Sequence, residues 1–372
     1  MHPSGPNINK NAQVSAFYIF FVIHSMQIGA GIMGIPQILF IQAKGSAWIS
    51  VLLTGILLHL TVFIMVKLLQ QYENADLFMI QKKLFGKWIS LLLGTIYLSY
   101  LFLVVSSIIL TYIEVVQVYI FPDIPNYQLS FLLIALAVYA INGGFRVAVG
   151  TSFIFFFVSS FMMLLLIKPI TLIEWVHYLP IIQAPLRDIL MGAYQTSYTV
   201  IGLEILLFIY PFIINKRKIA VAAHSAVFYT TFILFFVTFV SIGYFSGPQL
   251  ENQIWPTLSM FKIVTSPIIE RFDFLAVAFW IFIILPNIIL FTWLISYGAK
   301  RLYHVKQKHA LYVLAFLLYL VVSIVYDRTM IRNLSTSAGN IGFYIVFVYP
   351  WILYLLIVIK KKMQQLKGRN TP

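Results

Sequence analysis

The sequence predicts an all-α integral membrane protein of ten transmembrane helices, arranged as a five-plus-five inverted repeat with helices one and six discontinuous. Three observations predict it. The chain is 61% apolar and only 10% charged, where a soluble domain carries about 25% charged residues, and its mean hydropathy is +0.93. Apolar runs of about eighteen residues or more recur along it, each long enough for a bilayer-spanning helix. The 25 Lys+Arg, set against 11 Asp+Glu, alternate between rich and poor connections, as topology demands of a membrane protein. A soluble enzyme, a disordered chain and a DNA-binding domain are excluded. Cysteine is absent, so disulfides, thiolate metal sites and Cys nucleophiles are excluded too.

The first span, 14–40, follows thirteen polar residues. It is too long for a signal-peptide core and lacks a small-residue cleavage site, so it reads as an uncleaved helix. Spans 47–69, 89–119, 128–145 and 149–168 complete the first half. Spans 189–213, 224–246, 272–298, 309–326 and 340–359 make the second. The longest connections, 170–188 and 247–271, leave no room for a soluble domain, so residues 1–372 form one membrane domain with tails at 1–13 and 360–372. Backbone groups in hydrocarbon must be satisfied internally, and segments of this length do so as helices.

An even number of spans puts both termini on one side. If that side is the cytoplasm, eighteen basic residues are cytoplasmic, among them Lys82, Lys83, Lys306, Lys308 and Lys360 to Lys362; seven, including Lys44 and Lys262, are external. This is the positive-inside pattern. The basic surplus therefore needs no nucleic acid, and anionic lipid headgroups are its expected contacts.

Helix one carries Gln27-Ile28-Gly29-Ala30-Gly31-Ile32-Met33-Gly34-Ile35-Pro36. Three glycines followed by a proline make a poor continuous helix. Helix six carries Ile201-Gly202-Leu203-Glu204 and then Pro211, so breakers fall in corresponding helices of the two halves. Close helix packing is one reading of such glycines. The other is an unwound site whose free N–H groups suit a carboxylate.

Ionisable residues at membrane depth are costly and so are functional candidates. His24, His59, Glu114, Glu204 and His224 qualify. Glu204 would meet an ammonium, a cation or a freed N–H, or would fix helix packing through a hydrogen bond. Glu114 lies near the outer end of helix three and is expected to reach the headgroups or pair with a basic loop. Tyr100, Ser107, Thr111 and Glu114 share one face of that helix at spacings of seven, four and three, a polar stripe suited to the bundle interior. The run Tyr194 to Thr199 suits an outer vestibule or a loop end. Pro286 and Asn287 interrupt an apolar helix eight, either as a plain kink or as donors near a site. The histidines read as neutral hydrogen-bonding residues. No metal-ligand spacing, catalytic arrangement or phosphate loop is found, so neither an enzyme nor a cofactor is expected.

The stretch Gln27 to Pro36 resembles the opening motif of the endospore germination permeases, the B subunits of nutrient germinant receptors. Phe85-Gly86-Lys87-Trp88, Gly202-Leu203-Glu204, Ile254-Trp255-Pro256-Thr257 and Ile269-Glu270-Arg271-Phe272-Asp273 resemble that family's other motifs. The glycine motif alone is broadly shared among amino-acid permeases; the last two are narrower. The resemblance implies the five-plus-five fold of the amino acid–polyamine–organocation superfamily, with helix eight facing a central site. It also implies sensing of a small nutrient, such as an amino acid, in the inner spore membrane together with A and C subunits. The expected ligand contacts are Gly29, Ala30, Gly31, Tyr100, Ile201, Gly202, Glu204 and Asn287. The rival expectation is a proton- or sodium-coupled amino-acid transporter. A scaffold that binds no ligand is the third.

Overall fold

The structure is a computed structural model that describes residues 8–369, except 73, 266 and 268–270. Apart from one bridge pairing Val14 with Ile213, its described secondary structure is helical. In chain order the helices are α1 (Phe17–Gln27), α2 (Ile35–Ala43), α3 (Ala47–Gln70), α4 (Leu77–Tyr119), α5 (Asn126–Asn142) and α6 (Phe145–Ser160). There follow α7 (Leu186–Thr199), α8 (Leu203–Phe212), α9 (Ile219–Tyr244), α10 (Gly247–Asn252) and α11 (Pro256–Phe261). The chain ends with α12 (Phe272–Tyr303), α13 (Gln307–Ile324), α14 (Arg328–Gly342) and α15 (Tyr349–Arg369). Among the described residues, seven helical stretches are long and apolar enough to cross a bilayer, and α1, α5 and α8 are shorter apolar helices.

Breaks explain the short ones. Helix one of the sequence reading divides into α1 and α2, joined by a 3-10 turn Ala30–Met33. Helix six divides into α7 and α8 at Val200 to Gly202. The two expected interruptions are present, and they lie against each other.

Two helix starts differ from the sequence expectation. Helix three begins at Leu77 rather than 89, because Asp76 caps it by accepting from the Met79 N–H at 2.9 Å. The chain then bends at Gly86, whose φ is +80°, a value that glycine adopts at no steric cost. The last helix begins at Arg328 rather than 340. Its first fifteen residues are polar and escaped a hydropathy reading, yet Asp327 caps them through the Met330 N–H at 3.1 Å, and a π-helical stretch, Phe343–Val348, joins them to α15. The two longest connections also hold helices, α10 and α11 in the second and a 3-10 turn, Trp175–Tyr178, in the first.

Lipid-facing and buried positions alternate at helical spacing. On α3, Leu52, Ile56, Leu60 and Phe63 are exposed, whereas Val51, Leu58, Val62 and Met65 are buried. In lipid the exposed stripe has no reason to hide, so helices associate through small residues and hydroxyls. Ser50 and Thr54 of α3 donate to the Ile189 and Ala193 carbonyls of α7 at 2.8 and 2.9 Å. α12 packs along α4, α6 and α13 and forms the centre of the bundle.

The end that carries the N terminus is closed. Val14 and Ile213 pair there, and Arg146 donates to the Lys10 and Gln13 carbonyls, both at 2.9 Å. Phe145, Phe212 and Trp293 form a cluster of tilted and edge-to-face rings there. Asp76, fully buried, accepts from Tyr297 Oη at 3.0 Å and Arg301 Nε at 2.7 Å, tying the start of α4 to the end of α12.

Candidate functional site

The two breaks meet at Gly202. Its φ is +126°, and a Cβ built there would lie 2.6 Å from the Met26 carbonyl oxygen. Only glycine lets the α7–α8 break approach α1 so closely. Two residues on, Glu204 is fully buried. One carboxylate oxygen accepts from the Gly202 N–H at 2.7 Å and the other from the Tyr100 hydroxyl at 3.1 Å. Glu204 thus folds back on its own break and joins it to α4. Gln27 Nε2 adds a long bond, 3.4 Å, to the Val200 carbonyl.

Asn287 of α12 serves the other break. Its Nδ2 donates to the Ser25 and Ile28 carbonyls, at 2.6 and 3.0 Å, and to Ile283 one turn back at 3.0 Å. Its Oδ1 is buried and has no hydrogen-bond partner among the described residues; it faces Gly29, where a Cβ would come within 3.3 Å of it. The N–H groups of Gly29, Ala30 and Gly31 open the 3-10 turn and have no acceptor within it. Ala30 and Gly31 are half-buried.

The predicted residues therefore come together in two groups. Tyr100, Gly202 and Glu204 form one; Gly29, Ala30, Gly31 and Asn287 form the other; Ile201 is buried beside the first and touches α14, where a Gly342 Cβ would be 2.4 Å from its Cδ1. The run Tyr194 to Thr199 was expected at a vestibule or loop end, but its contacts with the breaks and with α14 escaped the sequence reading. Thr199 covers Gly31, its methyl 2.7 Å from a Cβ built there. Gly339 and Gly342 let α14 press on Tyr198, Ile201 and Tyr100, and Asn340 accepts from the hydroxyls of both Tyr194 and Tyr198. The signal was present as two glycines three residues apart, Gly342 just inside the expected last span and Gly339 just before it, in a polar stretch that hydropathy does not read as helix.

The helix-three stripe faces the interior. Ser107 bonds Ser335 of α14 at 2.7 Å, and Glu114 pairs with Arg328 at 3.1 Å, a basic partner of the kind expected for it. Over the other break sits the Trp-Pro-Thr segment. Thr257, buried, donates to the Ile32 carbonyl at 3.0 Å, and Trp255 meets Tyr119 edge to face and carries the Arg328 guanidinium on its ring. It is a lid on the 3-10 turn of helix one. Glu270 lies outside the described residues, so its expected ion pair is not described; Arg271 pairs with the buried Asp273 at 2.6 Å, and that hydrogen bond raises the arginine's pKa.

Two histidines read as solitary are partners: His59 Nδ1 and His224 Nδ1 lie 2.8 Å apart between α3 and α9. His24 bonds Thr230 at 2.9 Å and lines a mostly apolar cavity of about 70 Å³ between α1, α6, α9 and α12. Neither Gly202 nor Glu204 lines that cavity, and no group of three His, Asp or Glu side chains able to hold a metal occurs among the described residues.

The family model described as "Spore germination protein" matches residues 13–331. The chain is 35% identical over 353 residues to spore germination protein GerQB of Bacillus cereus, covering 95% of this chain and 98% of that one. It is 22% identical to spore germination protein A2 of Bacillus subtilis, covering 94% and 97%. In fold it is similar to a substrate-bound, outward-open Na⁺-coupled sialic acid symporter, with TM-score 0.63, 12% identity and coverage of 92% and 75%. It is also similar to Mhp1, a nucleobase-cation-symport-1 family transporter in a closed conformation, with TM-score 0.58, 12% identity and coverage of 93% and 80%.

Proposed function

The chain belongs to the spore germination protein family, and from that premise we propose that it is the ligand-binding membrane subunit of a nutrient germinant receptor. It would sit in the inner spore membrane with both termini cytoplasmic, as ten spans in two halves, 14–168 and 189–359, and act with A and C subunits. Its ligand is a small nutrient such as an amino acid. The observation that carries this reading is the meeting of two helix breaks around a buried carboxylate, held by the Gly202 N–H and the Tyr100 hydroxyl.

The ligand's carboxylate goes to the N–H groups of Gly29 to Gly31, and its ammonium to the unpartnered Asn287 Oδ1. Thr199, which covers Gly31, must move to admit it. Glu204 and Tyr100 fix the shape of the facing break, and Ile201 bounds the apolar side. Ligand binding would loosen the contact of α14 with this break, and partner subunits would read the movement. The test is germination of spores carrying or lacking this chain, presented with the individual amino acids and followed by absorbance. A response to some amino acid that depends on the chain supports the reading; indifference to all of them contradicts it.

A second reading is favoured by the likeness in fold to cation-coupled symporters: a proton- or sodium-coupled amino-acid transporter. Concentrative uptake of labelled amino acids into vesicles bearing the chain alone would decide for it.

A further inference from the structure

Transporters with broken helices bind their coupling cation where unwound carbonyls and the C-terminal end of a half-helix converge. This chain has such a convergence. Ser25 and Ile28 lie at the carbonyl end of α1, where the helix leaves oxygens without an amide partner, and Ile283 adds a third oxygen from α12. Three carbonyls aimed at one point, at the negative end of a half-helix, are the coordination chemistry of a hard cation. The point is filled by Asn287 Nδ2, at 2.6, 3.0 and 3.0 Å from the three oxygens. The assignment of that atom as nitrogen is forced, since an amide flipped the other way would press its oxygen on three carbonyl oxygens. Asn287 is buried and leaves no second position for an ion among the same oxygens. The residues present therefore do not fit a coupling Na⁺ at this point.

We propose that the Asn287 amide is a tethered replacement for a coupling cation, so that the first break keeps its ligand-ready shape without Na⁺. Resting on the permease-type reading of the site, it makes nutrient sensing indifferent to the sodium gradient.

Replacing the amide by a carboxylate tests it. In Asn287→Asp an ionised side chain faces three carbonyls with nothing between them, unless a cation enters; a protonated one has a single donor for three acceptors. Purified protein would be melted in NaCl and in N-methyl-D-glucamine chloride of equal ionic strength. Wild type should melt at the same temperature in both. Asn287→Asp should melt lower than wild type without Na⁺ and recover by several degrees with it. A Na⁺-specific rise in wild type, or a variant as stable as wild type and blind to Na⁺, would overturn the proposal. Should the variant fail to accumulate, a Na⁺ titration of wild type decides: no specific rise upholds the proposal, and a rise ends it. Melting needs no nutrient, so a failure of the receptor reading would appear elsewhere, in the germination assay.

Discussion

Gly202 and Gly86 both have positive φ, +126° and +80°, but only the first has a neighbour, the Met26 carbonyl. Alanine at Gly86 should cost only the conformational penalty, about 1–3 kcal/mol. Alanine at Gly202 adds a backbone clash and should prevent accumulation of folded protein, as judged by membrane abundance and melting of whatever is recovered. Gly31 offers a finer distinction. A Cβ there strikes Thr199, so packing alone would make Gly31→Ala defective, and trimming the neighbour in Gly31→Ala/Thr199→Ala would rescue it. If the space belongs to a ligand's carboxylate, the double variant should be as abundant as wild type yet still fail to respond to nutrient. Recovery of the response would remove Gly31 from the site.

At the scale of elements, the interruptions of helices one and six were legible, because glycine and proline act locally and their effect needs no partner. The polar start of the last helix was not: Arg328 to Gly342 becomes a helix through the Asp327 cap and through packing of Gly339 and Gly342 on the site, neither of which hydropathy measures. Nor was the His59–His224 pair, whose members stand on different helices. The Asp76 cap shows how such long-range partners stabilise the bundle. It holds Met79, Tyr297 and Arg301 at once, and only about a third of the Arg301 side chain, 29%, is exposed. Asp76→Ala should cost about 3–5 kcal/mol, seen as a large drop in melting temperature. Glu114→Gln, which breaks a pair whose arginine is 58% exposed, should cost no more than about 1 kcal/mol.

For the whole molecule, composition and charge distribution sufficed to predict an all-helical membrane protein, since the bilayer leaves few alternatives to a long apolar run. They do not by themselves say how the halves meet; the close approach of Gly202 to Met26 does. The orientation is open to direct test, because Lys82, Lys262 and Lys306 are all exposed. In sealed right-side-out vesicles an impermeant amine reagent should label Lys262 and spare Lys82 and Lys306, and the reverse pattern would invert the topology. The central claim, that nutrient is sensed where the two breaks meet, rests most heavily on Glu204. Glutamine there keeps an acceptor for the Gly202 N–H but puts an amide NH2 where the second carboxylate oxygen accepts from the Tyr100 hydroxyl. Weakening the bonds that hold the break in its ligand-ready shape raises the cost of that shape by about 1.5–3 kcal/mol, or roughly 10- to 150-fold in apparent affinity. The decisive measurement is the nutrient dose–response of germination in Glu204→Gln spores, normalised to the amount of the protein in the membrane. The account predicts a curve displaced to higher concentration by that factor and restored by excess nutrient, whereas a curve superimposable on wild type would contradict it.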